Sequence, residues 1–172
     1  MQILYIRTSN IYDDSRATKE IFALAEKGHK VHVLGWDRDG NAKKQSCEVF
    51  AKYNGLVTVD FFTCLINGGI GIKNIDKMLK WVIWTNKQLK LRKDIDVIHA
   101  CNLDGALGVW KYAKKHGIKI VYDIYDYYID SHTIPGMLEN TIERLEIDII
   151  NSADATIICT EERKEQISKS NP

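Results

Sequence analysis

The sequence predicts an α/β protein on a doubly wound, mainly parallel sheet with helices on both faces, and three observations carry that prediction. An apolar strand at residues 2–6, a helix with Ala17, Ile21, Leu24 and Ala25 on one face, a stop at Gly28 and a strand at 30–34 follow within 34 residues. Strand, helix and strand at that spacing make a βαβ unit, which implies parallel strands and a right-handed crossover. The same grammar returns later, with an apolar strand closing on His99, a helix over about 104–116, a stop at Gly117 and a strand at 118–122. Finally, His99, Asn102, Asp104, Asp123, Tyr125 and Asp126 fall just beyond the carboxyl ends of two strands, where open α/β sheets form their binding crevice.

Composition bounds the rest. With 172 residues, 45% of them hydrophobic and 27% charged, the chain is long enough for one well-buried globular domain. A net charge of +1 gives no overall footprint for nucleic acid, so none is expected as a partner. Cys47, Cys64, Cys101 and Cys159 lie far apart without a C-x-x-C, which reads as small buried hydrophobes in a reducing compartment and predicts no metal site. The amino-terminal strand turns polar too early for a signal peptide, and no run approaches the roughly 20 apolar residues of a membrane span. A cytoplasmic protein is the expectation.

The remaining segments follow in order. Residues 37–45 read as a polar loop, and 47–53 and 56–64 as two strands around an Asn54-Gly55 turn. A Gly-rich loop at 67–71 precedes a helix over about 74–93. Leu138, Ile142, Leu145 and Ile149 mark another helix, 155–159 a strand, and a polar helix opens near Thr160. The chain stops soon after, which predicts a second domain beyond it.

Chemistry concentrates in a few stretches. Arg16 and Lys19 lie on the first turns of the first helix, whose amino end would suit a phosphate or sugar acid; the bland reading makes both solvated surface charges. No G-x-G-x-x-G follows the first strand and no Walker A loop occurs, which removes most of the case for dinucleotide or P-loop chemistry. His99 could be a polar contact or general base, against the plainer reading of a histidine satisfied by backbone; its company of Asn102, Asp104, Asp123, Tyr125 and Asp126 favours a site. On the 74–93 helix, Lys77, Lys80 and Lys87 stand among other lysines, with Trp81 and Trp84 between apolar residues. Those are the ingredients of an interfacial segment facing anionic lipid, or of a helix with a solvated basic side and tryptophans in the core.

The stretches D-D-S-R-A-T-K-E-I-F-A-L-A-E-K-G-H-K-V-H-V-L, D-V-I-H-A-C-N-L-D, K-I-V-Y-D-I-Y-D and A-D-A-T-I-I-C-T-E together resemble the N-terminal, acceptor-side domain of GT-B glycosyltransferases of family 4. The resemblance spans nearly the whole chain and is weakest over residues 41–93. The family's N-D-P-R-V-x-K-E motif puts Arg16, Lys19 and Glu20 on matching positions, and its strand-end histidine matches His99. Where relatives often carry Y-D-x-H-E, this chain has Tyr125 and Asp126 in place of the histidine and glutamate, which puts in doubt a mechanism that needs a histidine there.

The resemblance implies a Rossmann-like domain over residues 1–172 that forms the acceptor-binding half of a nucleotide-sugar-dependent, retaining glycosyltransferase of bacterial surface polysaccharide or glycolipid assembly. It implies that the donor nucleotide-sugar binds a C-terminal domain, that no cofactor sits in this one, and that this chain alone is inactive. His99, Tyr125 and Asp126 are then the candidate catalytic groups. Arg16, Lys19, Asn102 and Asp104 are the candidate acceptor or phosphate contacts, for a sugar or lipid-linked glycan acceptor. Lys77, Lys80, Trp81, Trp84 and Lys87 are the candidate membrane-facing residues, at the inner face of the membrane. The rival reading is a stand-alone, non-catalytic α/β binding or regulatory module, favoured by the missing histidine at Tyr125.

Overall fold

Strands β1 (Gln2–Arg7), β2 (Lys30–Asp37), β3 (Val57–Thr63), β4 (Val97–Cys101), β5 (Lys119–Ile124) and β6 (Ala155–Ile158) form one all-parallel sheet in the order β3-β2-β1-β4-β5-β6. The computed structural model describes residues 1–66, 74–132 and 134–171. Central strands of a parallel sheet are covered on both faces and read as nearly continuous apolar runs. Here Leu4, Ile6, Leu34, Trp36, Ile98 and Ala100 pack into one core, and Tyr5, Val31, Val33 and Cys101, the alternate residues, into a second.

Two helices, α1 (Ser15–Glu26) and α2 (Ala42–Val49), cover the second core, while α3 (Ile75–Leu91), α4 (Asn102–Ala106), α5 (Trp110–His116) and α7 (Gly136–Ser152) cover the first. A single turn, α6 (Tyr128–Ser131), lies between β5 and α7. The start of α1 is set by Asp14, whose Oδ1 accepts from the Ala17 N–H at 3.1 Å. Burial of Ala17, Ile21 and Ala25 then fixes which face meets the sheet. The result is a Rossmann-like α/β fold, as the βαβ spacing predicted.

Four expectations need correction. Residues 47–53 are not a strand: α2 and a 3₁₀ turn (Ala51–Tyr53) fill the segment, because Ala42, Ser46 and Phe50 recur every fourth residue and are all buried. The Asn54-Gly55 turn therefore joins a helical segment to β3, and β3 pairs in parallel with β2. The single helix expected over 104–116 is two, α4 beginning at Asn102 and α5 at Trp110. Between them Gly108 lies against α3 so closely that a Cβ there would come 2.0 Å from Thr85 Oγ1 and 2.6 Å from the Val82 carbonyl. The polar helix after Thr160 is a 3₁₀ helix, Glu161–Glu165. Of the cysteines only Cys101 is buried; Cys64 is half-buried, and Cys47 and Cys159 are exposed. The loop at 67–71 lies outside the described residues.

The β1–α1 connection is held by an apolar plug. Ile11 is fully buried at φ 65°, a backbone conformation strained for a β-branched residue. It sits over Gly35 of β2, where an added Cβ would lie 2.8 Å from Ile11 Cγ1 and 2.5 Å from Phe61 Cε1.

Candidate functional site

The strand order reverses at β1, whose neighbours are β2 and β4. The chain leaves β1 into α1 on one face and leaves β4 into α4 on the other, so the two connections part and open a crevice at their carboxyl ends. Thr8 from the first connection hydrogen-bonds Asp104 from the second across the crevice floor.

One wall is a tightly paired polar cluster. Register sets Tyr5 beside His99 and Cys101 beside Asp123, and alternation carries Tyr5, His99, Cys101 and Asp123 to the face under α1. One turn apart on α1, Arg16 and Glu20 reach down to them. The Arg16 guanidinium binds Glu20 through Nε at 3.0 Å, pairs with Asp123 and meets Cys159 Sγ at 2.7 Å. His99 Nε2 lies 3.0 Å from Asp123 Oδ2 and 3.7 Å from Glu20 Oε2, and its ring packs on Tyr5. The Tyr5 hydroxyl lies 2.6 Å and the Tyr125 hydroxyl 3.2 Å from Glu20 Oε2, which accepts from both, and the two hydroxyls are 2.9 Å apart. The guanidinium groups of Arg7 and Arg16 stand over the Tyr125 ring at 4.1 and 3.8 Å.

The electrostatics follow from this packing. Burial, then acidic neighbours, drives the Tyr5 and Tyr125 phenols far above their usual range, so both act as hydroxyl donors. Burial works against the Arg16 charge, but the hydrogen bond to Glu20 and the field of Asp123 overcome it and raise its pKa. Burial also raises the Cys101 thiol, which stays neutral. Ligand atoms of Glu20, His99, Cys101 and Asp123 lie within 4.8 Å of one another, a donor set that could hold a cation. The cation set against both carboxylates is Arg16 itself.

The opposite wall is the mouth formed by Arg7, Ser9, Asn10, Asp13, Asp14, Ser15 and Arg38. Arg7 is paired with Asp14 at 2.8 Å. Arg38 donates to the Thr8 carbonyl, and its Nε is buried with no hydrogen-bond partner. Asp104 is buried too, with Oδ1 unpartnered, and burial raises its pKa toward the neutral acid.

The structure brings Arg16, His99 and Tyr125 together and sets other candidates apart from them. Asn102, at φ 59°, turns its Oδ1 to the backbone N–H groups of Tyr125 (2.8 Å) and Asp126 (3.3 Å), so that oxygen is committed to holding the loop after β5. The Asp126 carboxylate lies 3.6 Å from the Arg163 guanidinium. Lys19 is exposed and takes no part in the cluster. Trp81 is no membrane-facing residue: it is fully buried, stacked on Trp36, and its Nε1 donates to the Asp104 carbonyl at 2.9 Å. Trp84 is half-buried against Trp81 and Phe62. Sequence reasoning missed Tyr5, Arg7 and Arg38. Tyr5 hides in an apolar strand, and only its register with His99 reveals it; the available signal for Arg38 was its place one residue past β2.

A comparison with curated proteins found no match. The sequence profile of Glycosyltransferase Family 4 matches residues 19–171, from α1 through all six strands except β1, so this chain with its crevice between β1 and β4 belongs to glycosyltransferase family 4.

Proposed function

We propose that this domain is the acceptor-binding half of a retaining, nucleotide-sugar-dependent glycosyltransferase, with the donor held by a C-terminal domain outside this chain. The observation that carries the reading is the convergence of α1, β4 and β5 on one crevice wall, where Arg16, His99 and Asp123 are locked together at the switch point. A sugar acceptor needs rigid, oriented hydrogen-bonding groups, and this network supplies them without a cofactor in this domain. His99 is oriented through Asp123 and Glu20, and Tyr125 by its hydroxyl bonds and the arginines over its ring. In the protein carrying both halves, His99→Ala and Arg16→Ala should each cut transfer to the acceptor at least tenfold; wild-type transfer by both variants overturns the site. The isolated domain should bind nucleoside diphosphates weakly or not at all.

The reading extends to a membrane-borne, lipid-linked glycan acceptor of surface polysaccharide assembly, presented at the inner face of an anionic membrane. Its support lies on the outer side of α3. Ile75, Leu79 and Ile83 recur every fourth residue at 56, 58 and 69% exposure, beside Lys80 and Lys87, which are exposed, and Lys77. This stripe replaces the tryptophans as the apolar part of the contact. Among the described residues no helix is long and apolar enough to cross a membrane, so the contact would be peripheral. Co-sedimentation with vesicles containing anionic lipid should fall at least fivefold in Leu79→Ser/Ile83→Ser and in a Lys80→Glu/Lys87→Glu variant. Unchanged sedimentation in both rejects the contact.

A further inference from the structure

We infer that the mouth of the crevice takes an anionic group of the acceptor, a phosphate ester or a carboxylate, against the Arg38 guanidinium. The inference rests on the acceptor-binding reading above and names the chemistry of what is bound.

The three arginines around the crevice differ in what meets their charge. Arg16 has Glu20 and Asp123, and Arg7 has Asp14. Among the described residues Arg38 has no carboxylate within ion-pair distance. The guanidinium donates to a neutral carbonyl, that of Thr8, and it leaves a buried Nε–H without an acceptor. A buried donor left unmade costs free energy, and for a charged group the cost is larger.

The acids nearby do not fill the gap. Asp14 is spent on Arg7 and on capping α1. The Asp37 carboxylate accepts from the backbone of Gly40 and Ala42. Asp39 accepts from Tyr12 at 3.2 Å and from the Asn41 N–H at 2.9 Å. Asp13 is exposed to water. Asp104 accepts from Thr8, and burial disfavours its charge; its field and that of Asp13 reach Arg38, but neither carboxylate comes within ion-pair distance of it. Beside Arg38 in the mouth stand the exposed Ser15 hydroxyl, and Ser9 and Asn10, whose donors make only long bonds of 3.3 Å to Asp14 and 3.4 Å to Asp39; all three are neutral groups suited to the remaining oxygens of a phosphate or carboxylate.

The test is titration of the protein with octyl phosphate, methyl glucuronide and neutral octyl glucoside, followed by calorimetry and by the NMR resonances of arginine Nε–H groups. The expected result is that at least one anion binds and shifts the Arg38 resonance, and that Arg38→Gln weakens that anion about tenfold or more. Arg38→Lys, which keeps the charge but not the fork, should recover part of the loss, with wild-type thermal midpoints confirming that both variants fold. Tighter binding of octyl phosphate would identify a phosphate-bearing acceptor, and tighter binding of the glucuronide a uronic one. Anion binding that is equal in wild type and Arg38→Gln overturns the inference. If the neutral glucoside binds in the crevice and neither anion binds better, the acceptor reading stands and this inference falls. If no probe binds, both fall.

Discussion

The two walls of the crevice are built from the same residue types and behave differently. On the β4–β5 side, Arg16 is matched by Glu20 and Asp123, and His99 by Asp123, so each charge is held by a neighbour. On the β1–β2 side Arg38 keeps a buried donor unmet, and across the crevice floor Asp104, from α4, keeps a buried acceptor unmet. A saturated network fixes geometry and resists substitution; an unsaturated one keeps binding capacity for something else. On the reading proposed above, one wall orients and the other receives.

The sharpest way to break this contrast is to remove a charge from each side. Asp123→Asn leaves Arg16 and His99 facing a neutral amide in a buried place, and should cost about 3 kcal/mol in urea unfolding. Arg16→Ala combined with Asp123→Asn should cost less than the sum of the two single changes, since a double-mutant cycle isolates the coupling.

Glu146 provides the next largest effect and separates the support of the loop after β5 from the network itself. It is fully buried, accepts from the Tyr122 hydroxyl at 2.8 Å and the Tyr128 N–H at 3.1 Å, and burial pushes its pKa up to about 7 from an ordinary 4.5. A carboxyl raised in the fold contributes stability that is fully present below about pH 4.5 and lost as the pH climbs to about 7. Glu146→Gln should flatten that slope and, at pH 8, match or exceed wild type by up to about 3 kcal/mol. A slope unchanged in the variant would place the titration elsewhere. Smallest is Arg38→Gln, which should alter stability by no more than about 1 kcal/mol, because the side chain gives up one bond, to the neutral Thr8 carbonyl, and orphans no carboxylate. A loss as large as that of Asp123→Asn would erase the difference between the walls.

Much of this was legible in the sequence, and the misses share a cause. Strand and helix periods placed β1, α1, β2, α3, α7 and the strand ends carrying His99 and Asp123, because burial on one or two faces writes itself into spacing. The segment at 47–53 misled because Val49, Phe50 and Tyr53 look like strand residues, while the burial that decides it runs Ala42, Ser46, Phe50. Trp81 and Trp84 were legible as aromatic but not as inward-facing, since a helix with tryptophans beside lysines has the same letters whichever side meets the sheet. His99 and Arg16 were found because polar residues at predicted strand and helix ends stand out. Tyr5 and Arg38 were not, because their meaning comes from strand register and from neighbours more than 25 positions away.

The Ile11 plug over Gly35 has a consequence for how such a domain changes its partner. The β1–α1 loop is anchored from beneath by one strained apolar side chain in a hollow that only a glycine leaves open. Ser9 and Asn10 share the load, Ser9 Oγ accepting from the Ile11 N–H at 3.3 Å and Asn10 Oδ1 from the Arg38 N–H at 3.0 Å, whereas Asp13 faces water. Identity at Asp13 is therefore decoupled from the loop's position, while a change at Ser9 or Asn10 alters what the crevice greets and what holds the loop at once. Gly35, buried beneath Ile11 and Phe61, is the position that fixes where the loop can sit.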